Sequence, residues 1–80
     1  MIFVDVLVPP IDRIFDFEVT DQIATGYFKA KVEELIEEKA DVLFSVKKRE
    51  FFFYRAGEFL KDNLSLGEQG VINGDRLILI

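Results

Sequence analysis

Carboxylates, lysines and two tyrosines are the main side chains left for chemistry in this sequence, because it contains no His, Cys or Trp. Without His or Cys there is no Ser–His or Cys–His nucleophile pair, no disulfide and neither usual zinc ligand. Paired carboxylates act on a bond across a cleft, and a chain of 80 residues leaves little room for one. The sequence therefore predicts no enzyme activity, no cofactor and no small-molecule substrate.

Two acidic pairs, Glu33-Glu34 and Glu37-Glu38, could in principle bind a hard cation. Residues four apart share one face of a helix, so the pairs lie together on a solvated surface. Carboxylates on a single helix make a poor cation cage without backbone carbonyl ligands. We therefore predict no metal site at these residues.

The basic run Lys47-Lys48-Arg49 stands beside four aromatic residues at 51–54, a combination of charge and stacking groups that single-stranded nucleic acids can use. The whole chain, however, has ten basic and fifteen acidic residues and a net charge of −5. Phosphate contacts need cations. We therefore predict a solvated turn or a contact to an acidic partner, and no nucleic-acid binding at physiological salt.

Apolar periodicity indicates the element order β-β-α-β-(β)-β and thus one α+β domain spanning residues 1–80. The predicted strands cover residues 2–8, 14–19, 51–54, 59–60 and 76–80. A helix is predicted up to about residue 39, with Thr20, Asp21 or Thr25 as its N-cap. Residues 42–46 also alternate like a strand. We expect a mixed sheet of four to five strands packed against one long helix.

The hydrophobic core is predicted from strand parity and from one helical stripe. Its members are Ile2, Val4, Phe15, Phe17, Val19, Phe28, Val32, Leu35, Phe53, Leu60, Leu66, Val71, Leu77 and Leu79.

This order resembles the β-grasp fold of ubiquitin. The segment Ile2-Phe3-Val4 is similar to ubiquitin's opening strand, and residues 56–80 can be placed beside ubiquitin's last segment without a gap. The first turn and the connection from helix to strand are longer here. The resemblance covers nearly the whole chain and implies the fold.

The closing segment Gly70-Val71-Ile72-Asn73-Gly74-Asp75-Arg76-Leu77 resembles that of the YukD-like proteins. These are small bacterial ubiquitin-like proteins encoded with type VII (WXG100) secretion systems. The resemblance implies a non-enzymatic accessory or regulatory component, with the secretion ATPase or a membrane component as partner. The alternative is a ubiquitin-like scaffold or oligomerising domain of another complex. The residues themselves predict a tight turn at Asn73-Gly74 and an acceptor at Asp75 for nearby backbone N–H groups.

The two ends of the sequence set expectations about location and conjugation. No basic stretch precedes an apolar one at the start, and no apolar run approaches the roughly 18 residues of a membrane span. We therefore expect a cytoplasmic protein. At the other end, Ile80 still belongs to the last predicted strand, whereas conjugated modifiers of the ubiquitin family end in a Gly-Gly tail. We therefore expect neither conjugation nor sulfur transfer.

The predicted partner-binding residues are Phe52, Tyr54, Ile78 and Ile80. Alternation directs Phe51 and Phe53 toward the helix, so Phe52 and Tyr54 take the opposite face of the sheet. Gapless placement on ubiquitin puts Ile78 and Ile80 beside them, on the face that serves as ubiquitin's main docking surface. An exposed apolar patch of this kind marks an interaction site. Its occupant could be a partner protein or a second copy in a homodimer; alternatively, residues 41–49 cover it internally.

Overall fold

The computed structural model describes residues 1–40 and 48–80, which form a five-stranded sheet with one long helix on one of its faces. The elements are β1 (Ile2–Val8), β2 (Arg13–Val19), α1 (Thr25–Ala40), β3 (Phe51–Phe53), β4 (Glu58–Phe59) and β5 (Asp75–Leu79), with short 3-10 turns at Pro9–Ile11 and Gly67–Gln69. The sheet order is β2-β1-β5-β3-β4. Strands β1 and β5 are parallel and the other pairs are antiparallel. The predicted α+β, β-grasp fold is confirmed.

The first hairpin owes its shape to the two prolines that end β1. Proline cannot donate to a β-ladder, and its fixed φ suits the start of a helical turn. Pro9 and Pro10 accordingly open a 3-10 turn. The turn closes at Asp12, whose φ is 51° and whose N–H donates to the carbonyl of Pro9 over 3.0 Å. The chain then reverses into β2, and Val8 lies opposite Arg13.

The start of α1 differs from the sequence prediction. The N–H of Phe28 donates to the carbonyl of Ala24 over 3.0 Å, which makes Ala24 the N-cap residue. None of the predicted caps holds this position, because Thr20 and Asp21 precede it and Thr25 is already helical. Alanine has no side-chain oxygen to accept the first N–H groups of the helix, so another part of the chain must accept them.

That acceptor is the loop after β4. Its carbonyl groups at Leu64 and Asp62 accept the N–H groups of Thr25 and Gly26 over 2.9 and 3.0 Å. The loop approaches so closely that a Cβ on Gly26 would lie 3.1 Å from the Cβ of Asp62. Lys29, one turn further along α1, binds both carboxylate oxygens of Asp62 at 3.0 and 2.9 Å. A glycine early in the helix is therefore explained by tertiary packing.

The core lies between α1 and the inner face of the sheet. Nine of the predicted core residues are buried, whereas Ile2, Phe15, Phe17, Val19 and Leu35 are only partly buried. Three of these five belong to β2, the margin of the sheet, where helix cover is incomplete. Four fully buried residues are missing from the predicted core, namely Val6, Val8, Ile36 and Phe51.

The described residues bear only in part on two further expectations, a strand at residues 42–46 and the absence of a membrane-spanning segment. The predicted strand at residues 42–46 lies outside the described residues. Within residues 1–40 and 48–80, no helix has the length and apolar character needed to cross a membrane.

Candidate protein-docking face

A row of apolar side chains crosses the sheet on the face opposite α1, with one residue from each strand. Leu7 of β1 lies opposite Ile14 of β2 and Ile78 of β5. Phe52 of β3 lies opposite both Ile78 and Phe59 of β4. The rings of Phe52 and Phe59 meet edge to face, with centroids 5.2 Å apart. We call these five side chains the outer row.

The outer row and its flanks are largely in contact with solvent. The exposed fractions are 49% for Ile14, 55% for Phe59, 66% for Tyr54 and 50% for Ile80. The three central members, Leu7, Phe52 and Ile78, are half-buried by their neighbours. Apolar surface in water costs roughly 25 cal/mol for each Å², so an apolar face of this kind gains free energy when another surface covers it.

The structure places the four predicted partner-binding residues on this face in two different relations. Phe52 and Ile78 are direct cross-strand neighbours at its centre. Tyr54 and Ile80 flank them on opposite sides, just beyond the ends of β3 and β5. The N–H of Tyr54 donates to the carbonyl of Arg76 over 3.2 Å, and Ile80 exchanges two 2.9 Å backbone hydrogen bonds with Glu50.

Sequence reasoning missed Leu7, Ile14 and Phe59. The parity of β1 and β2 already assigned Leu7 and Ile14 to the side away from the helix. The missing information was the strand order. Because β1 lies between β2 and β5, its outer side chain Leu7 connects Ile14 on β2 with Ile78 on β5 in one row.

A polar row lies next to the outer row, formed by Asp16, Asp5 and Arg76 on β2, β1 and β5. Arg76 contacts the carboxylate of Asp5 at 3.3 Å. A hydrogen bond between the two facing carboxyl groups lowers the pKa of Asp5 and raises that of Asp16. Asp16 is therefore the member of the pair that holds a proton more readily. The apolar row is bordered on this side by two carboxyl groups and one guanidinium.

The turn before β5 confirms the predicted role of Asn73-Gly74. Gly74 has a φ of 90°, which favours glycine, and its N–H donates to the carbonyl of Phe3 over 2.8 Å. The side-chain oxygen of Asn73 accepts the N–H of Phe3, also over 2.8 Å. The turn thus holds the start of β1.

Asp75 holds the same turn from inside, as predicted. One of its carboxylate oxygens accepts the N–H of Ile72 over 2.8 Å. Arg55 binds both carboxylate oxygens at 2.8 and 3.0 Å and also donates to the carbonyl of Gly70 over 2.8 Å. The hydrogen bond from Arg55 is the main reason that the pKa of Asp75 lies below its usual range. The side chains of Asn73 and Asp75 both stabilise this turn.

The glutamates of the two acidic pairs on α1 have different surroundings. Glu34 pairs with Lys31 at 3.8 Å. Glu33 is half-buried, and burial raises its pKa. In the described part of the chain, no group of three or more carboxylates is arranged to hold a metal ion.

The structure is similar to solved ubiquitin-like domains. It superposes on the N-terminal ubiquitin-like domain of the 4931431F19Rik protein with a TM-score of 0.75 and 20% sequence identity, covering 99% of this chain and 72% of that one. A ubiquitin-like domain from an Arabidopsis thaliana protein gives a TM-score of 0.74 and 21% identity, with 99% and 74% coverage. No protein-family model matches the sequence, and no curated protein matches it significantly. At these identities the similarity establishes the ubiquitin-like fold and carries no function with it.

Proposed function

We propose that this ubiquitin-like domain is a non-enzymatic protein-binding module that docks through the outer row and its flanks, Tyr54 and Ile80. The observation that carries the proposal is the continuity of the row, with one apolar side chain from every strand. A flat apolar face bordered by charges has the composition of a docking surface, with an apolar centre and a polar rim. The net charge of −5 makes two copies repel each other, which favours a different protein as the partner.

We further propose that the partner belongs to a type VII (WXG100) secretion system, as its ATPase or a membrane component, and that the module works in the cytoplasm. Support comes from the resemblance of residues 70–77 to YukD-like proteins. A ubiquitin-like scaffold or a homodimer in another complex is the second candidate. Gene neighbourhood separates the two: adjacent WXG100 and FtsK-like ATPase genes support the first, and a genome without them rules it out.

The docking face is tested by the double variant Tyr54→Asp with Ile78→Asp. Binding to the purified soluble part of the neighbouring FtsK-like ATPase is measured by calorimetry, and self-association by sedimentation. We expect the variant to stay folded and to lose its partner, because two buried charges would face an apolar surface. Tyr27→Asp is the matched control, since Tyr27 is an exposed aromatic on α1 and away from the sheet.

Three results would contradict the proposal: unchanged binding by the double variant, equal loss of binding in the control, or global unfolding. Unfolding would mean that the face is internal core. A milder pair, Ile14→Asp with Phe59→Asp, changes two side chains that are about half-exposed and should reduce binding without affecting folding.

A further inference from the structure

A cavity of about 380 Å³ lies at the flank of the outer row, and its lining residues are Asp5, Tyr54, Arg55, Gly74, Asp75 and Arg76. Tyr54 and Arg76 lie two residues from Phe52 and Ile78 on their strands, on the same side of the sheet. Gly74 leaves space in front of β5, because a Cβ at this position would meet no atom within 4 Å. The cavity is at the small end of the range for ligand sites, roughly 300–1,000 Å³, and has room for one large side chain.

Flat groups surround the opening of this cavity. Arg55 is held in place by its hydrogen bonds to Asp75 and Gly70, and its guanidinium carbon lies 5.1 Å from the centroid of the Phe53 ring. Arg76 is held by its contact to Asp5 and remains partly exposed, as does the ring of Tyr54. Guanidinium groups and aromatic rings both attract the face or the edge of another aromatic ring. Walls that are already fixed lose little freedom when such a ring binds.

The charges around the cavity narrow the choice of occupant. The two guanidinium groups are each paired with a carboxylate of the lining, so their charges cancel, and the whole chain carries a net charge of −5. A carboxylate therefore gains little attraction here. An aliphatic side chain would cover charged groups without offering them a hydrogen bond, which is costly.

The carboxylate of Asp5 has acceptor capacity to spare. It contacts Arg76 through Oδ2 and shares one hydrogen bond with Asp16, whereas a carboxylate offers about four acceptor positions. An aromatic side chain with its own N–H or O–H group meets both requirements, since its ring suits the flat walls and its donor suits Asp5.

Building on the proposed docking function, we propose that this cavity receives a tryptophan or tyrosine side chain of the partner protein. The ring packs against the guanidinium of Arg76 and the ring of Tyr54, and its N–H or O–H donates to the carboxylate of Asp5. Aromatic side chains seated in pockets supply much of the binding free energy of protein interfaces. The outer row covers the apolar surface around this residue, and the cavity selects the partner by residue type.

The test titrates the full chain, labelled with ¹⁵N, with four small probes. N-acetyl-tryptophanamide carries the ring and the donor, its analogue methylated at the indole nitrogen lacks the donor, N-acetyl-leucinamide lacks the ring, and sodium acetate represents a carboxylate. We expect saturable shifts at millimolar N-acetyl-tryptophanamide, in the amide signals of Asp5, Tyr54, Gly74 and Arg76. The methylated analogue should bind about fivefold more weakly, because one hydrogen bond to a charged acceptor is lost. The leucine and acetate probes should not saturate.

A pair of arginine variants tests the stacking contact. Arg76→Lys keeps the positive charge but removes the planar guanidinium, and it should weaken the tryptophan probe about threefold. Arg13→Lys is the matched control, since the guanidinium of Arg13 also lies against a ring, 4.8 Å from the centroid of Phe15. Arg13 belongs to β2, which β1 separates from β5, so this variant should leave the affinity unchanged.

Three results would overturn the aromatic site: no saturable shift with the tryptophan probe, equal binding of any other probe, or equal weakening by the two lysine variants. The pair Ile14→Asp with Phe59→Asp separates this site from the docking face, because neither residue lines the cavity. The pair should reduce docking of the partner and leave the tryptophan probe unaffected. Retained probe binding with undiminished docking would contradict the docking face alone. Absent probe binding with docking that still depends on the outer row would contradict the aromatic site alone.

Discussion

The two faces of the sheet are both rich in apolar side chains but differ in what surrounds them. On the inner face, Leu77 and Leu79 of β5 are fully buried against α1 and the loop that follows β4. On the outer face, Ile78 between them is half-buried, and Ile14 and Phe59 at the two margins are about half-exposed. Similar residue types therefore serve stability on one face and are available for binding on the other.

The largest expected effect follows from truncating the inner face. Phe53→Ala or Leu77→Ala should lower the free energy of unfolding by about 2–5 kcal/mol, because each leaves a cavity in a closely packed core. Urea denaturation measures this value. Ile14→Ala and Phe59→Ala are the matched outer-face controls and should each cost less than about 1 kcal/mol, since these side chains are already largely hydrated. Equal costs on the two faces would mean that the outer face is covered as well.

Strand parity was enough to predict which face of β3 and β5 is the core, because alternation is fixed by backbone geometry. The helix was predicted from its stripe, but its cap was not. Ala24 has no side chain that could cap the helix. The first N–H groups of the helix donate instead to carbonyl groups of Asp62 and Leu64, far along the sequence. Long-range contacts of this kind have no local signature.

The composition of the proposed docking face was foreseen in part. Phe52 was assigned to this face by strand parity, and Ile78 was placed beside it by the resemblance to ubiquitin. Leu7 and Ile14 could not be joined to them without knowing that β1 lies beside β5, a parallel contact between the first and last strands.

A smaller effect is expected at Asp75, the buried carboxylate of the inner face. Asp75→Ala should lower the free energy of unfolding by about 1–3 kcal/mol at pH 7, because the N–H of Ile72 and the guanidinium of Arg55 lose their acceptor. The pKa of Asp75 is lowered in the folded protein, so its contribution is present above its unfolded pKa of about 3.8 and is lost as the pH falls through the folded pKa. Urea midpoints at pH 7 and below pH 3.8 measure the difference between variant and parent, which should shrink in acid. If the difference in stability between variant and parent does not change with pH, ionisation of Asp75 does not stabilise the folded protein.

The smallest effect has the opposite sign and belongs to the outer face. Asp16 has a raised pKa in the folded protein because it shares a hydrogen bond with Asp5. Its stabilising contribution is therefore present at low pH and is lost as the pH rises above its ordinary value of 3.8 through the folded pKa. Asp16→Asn should consequently stabilise the protein at pH 7, since an amide can donate to Asp5 without a second negative charge. Urea midpoints at pH 7 and pH 3 should show this gain only at pH 7, where the parent lacks the shared proton. Asp12→Asn removes the same charge from the first hairpin, away from Asp5, and should not reproduce the pH-dependent gain. A gain of equal size in both variants would trace the effect to net charge and not to the carboxyl pair beside the outer row.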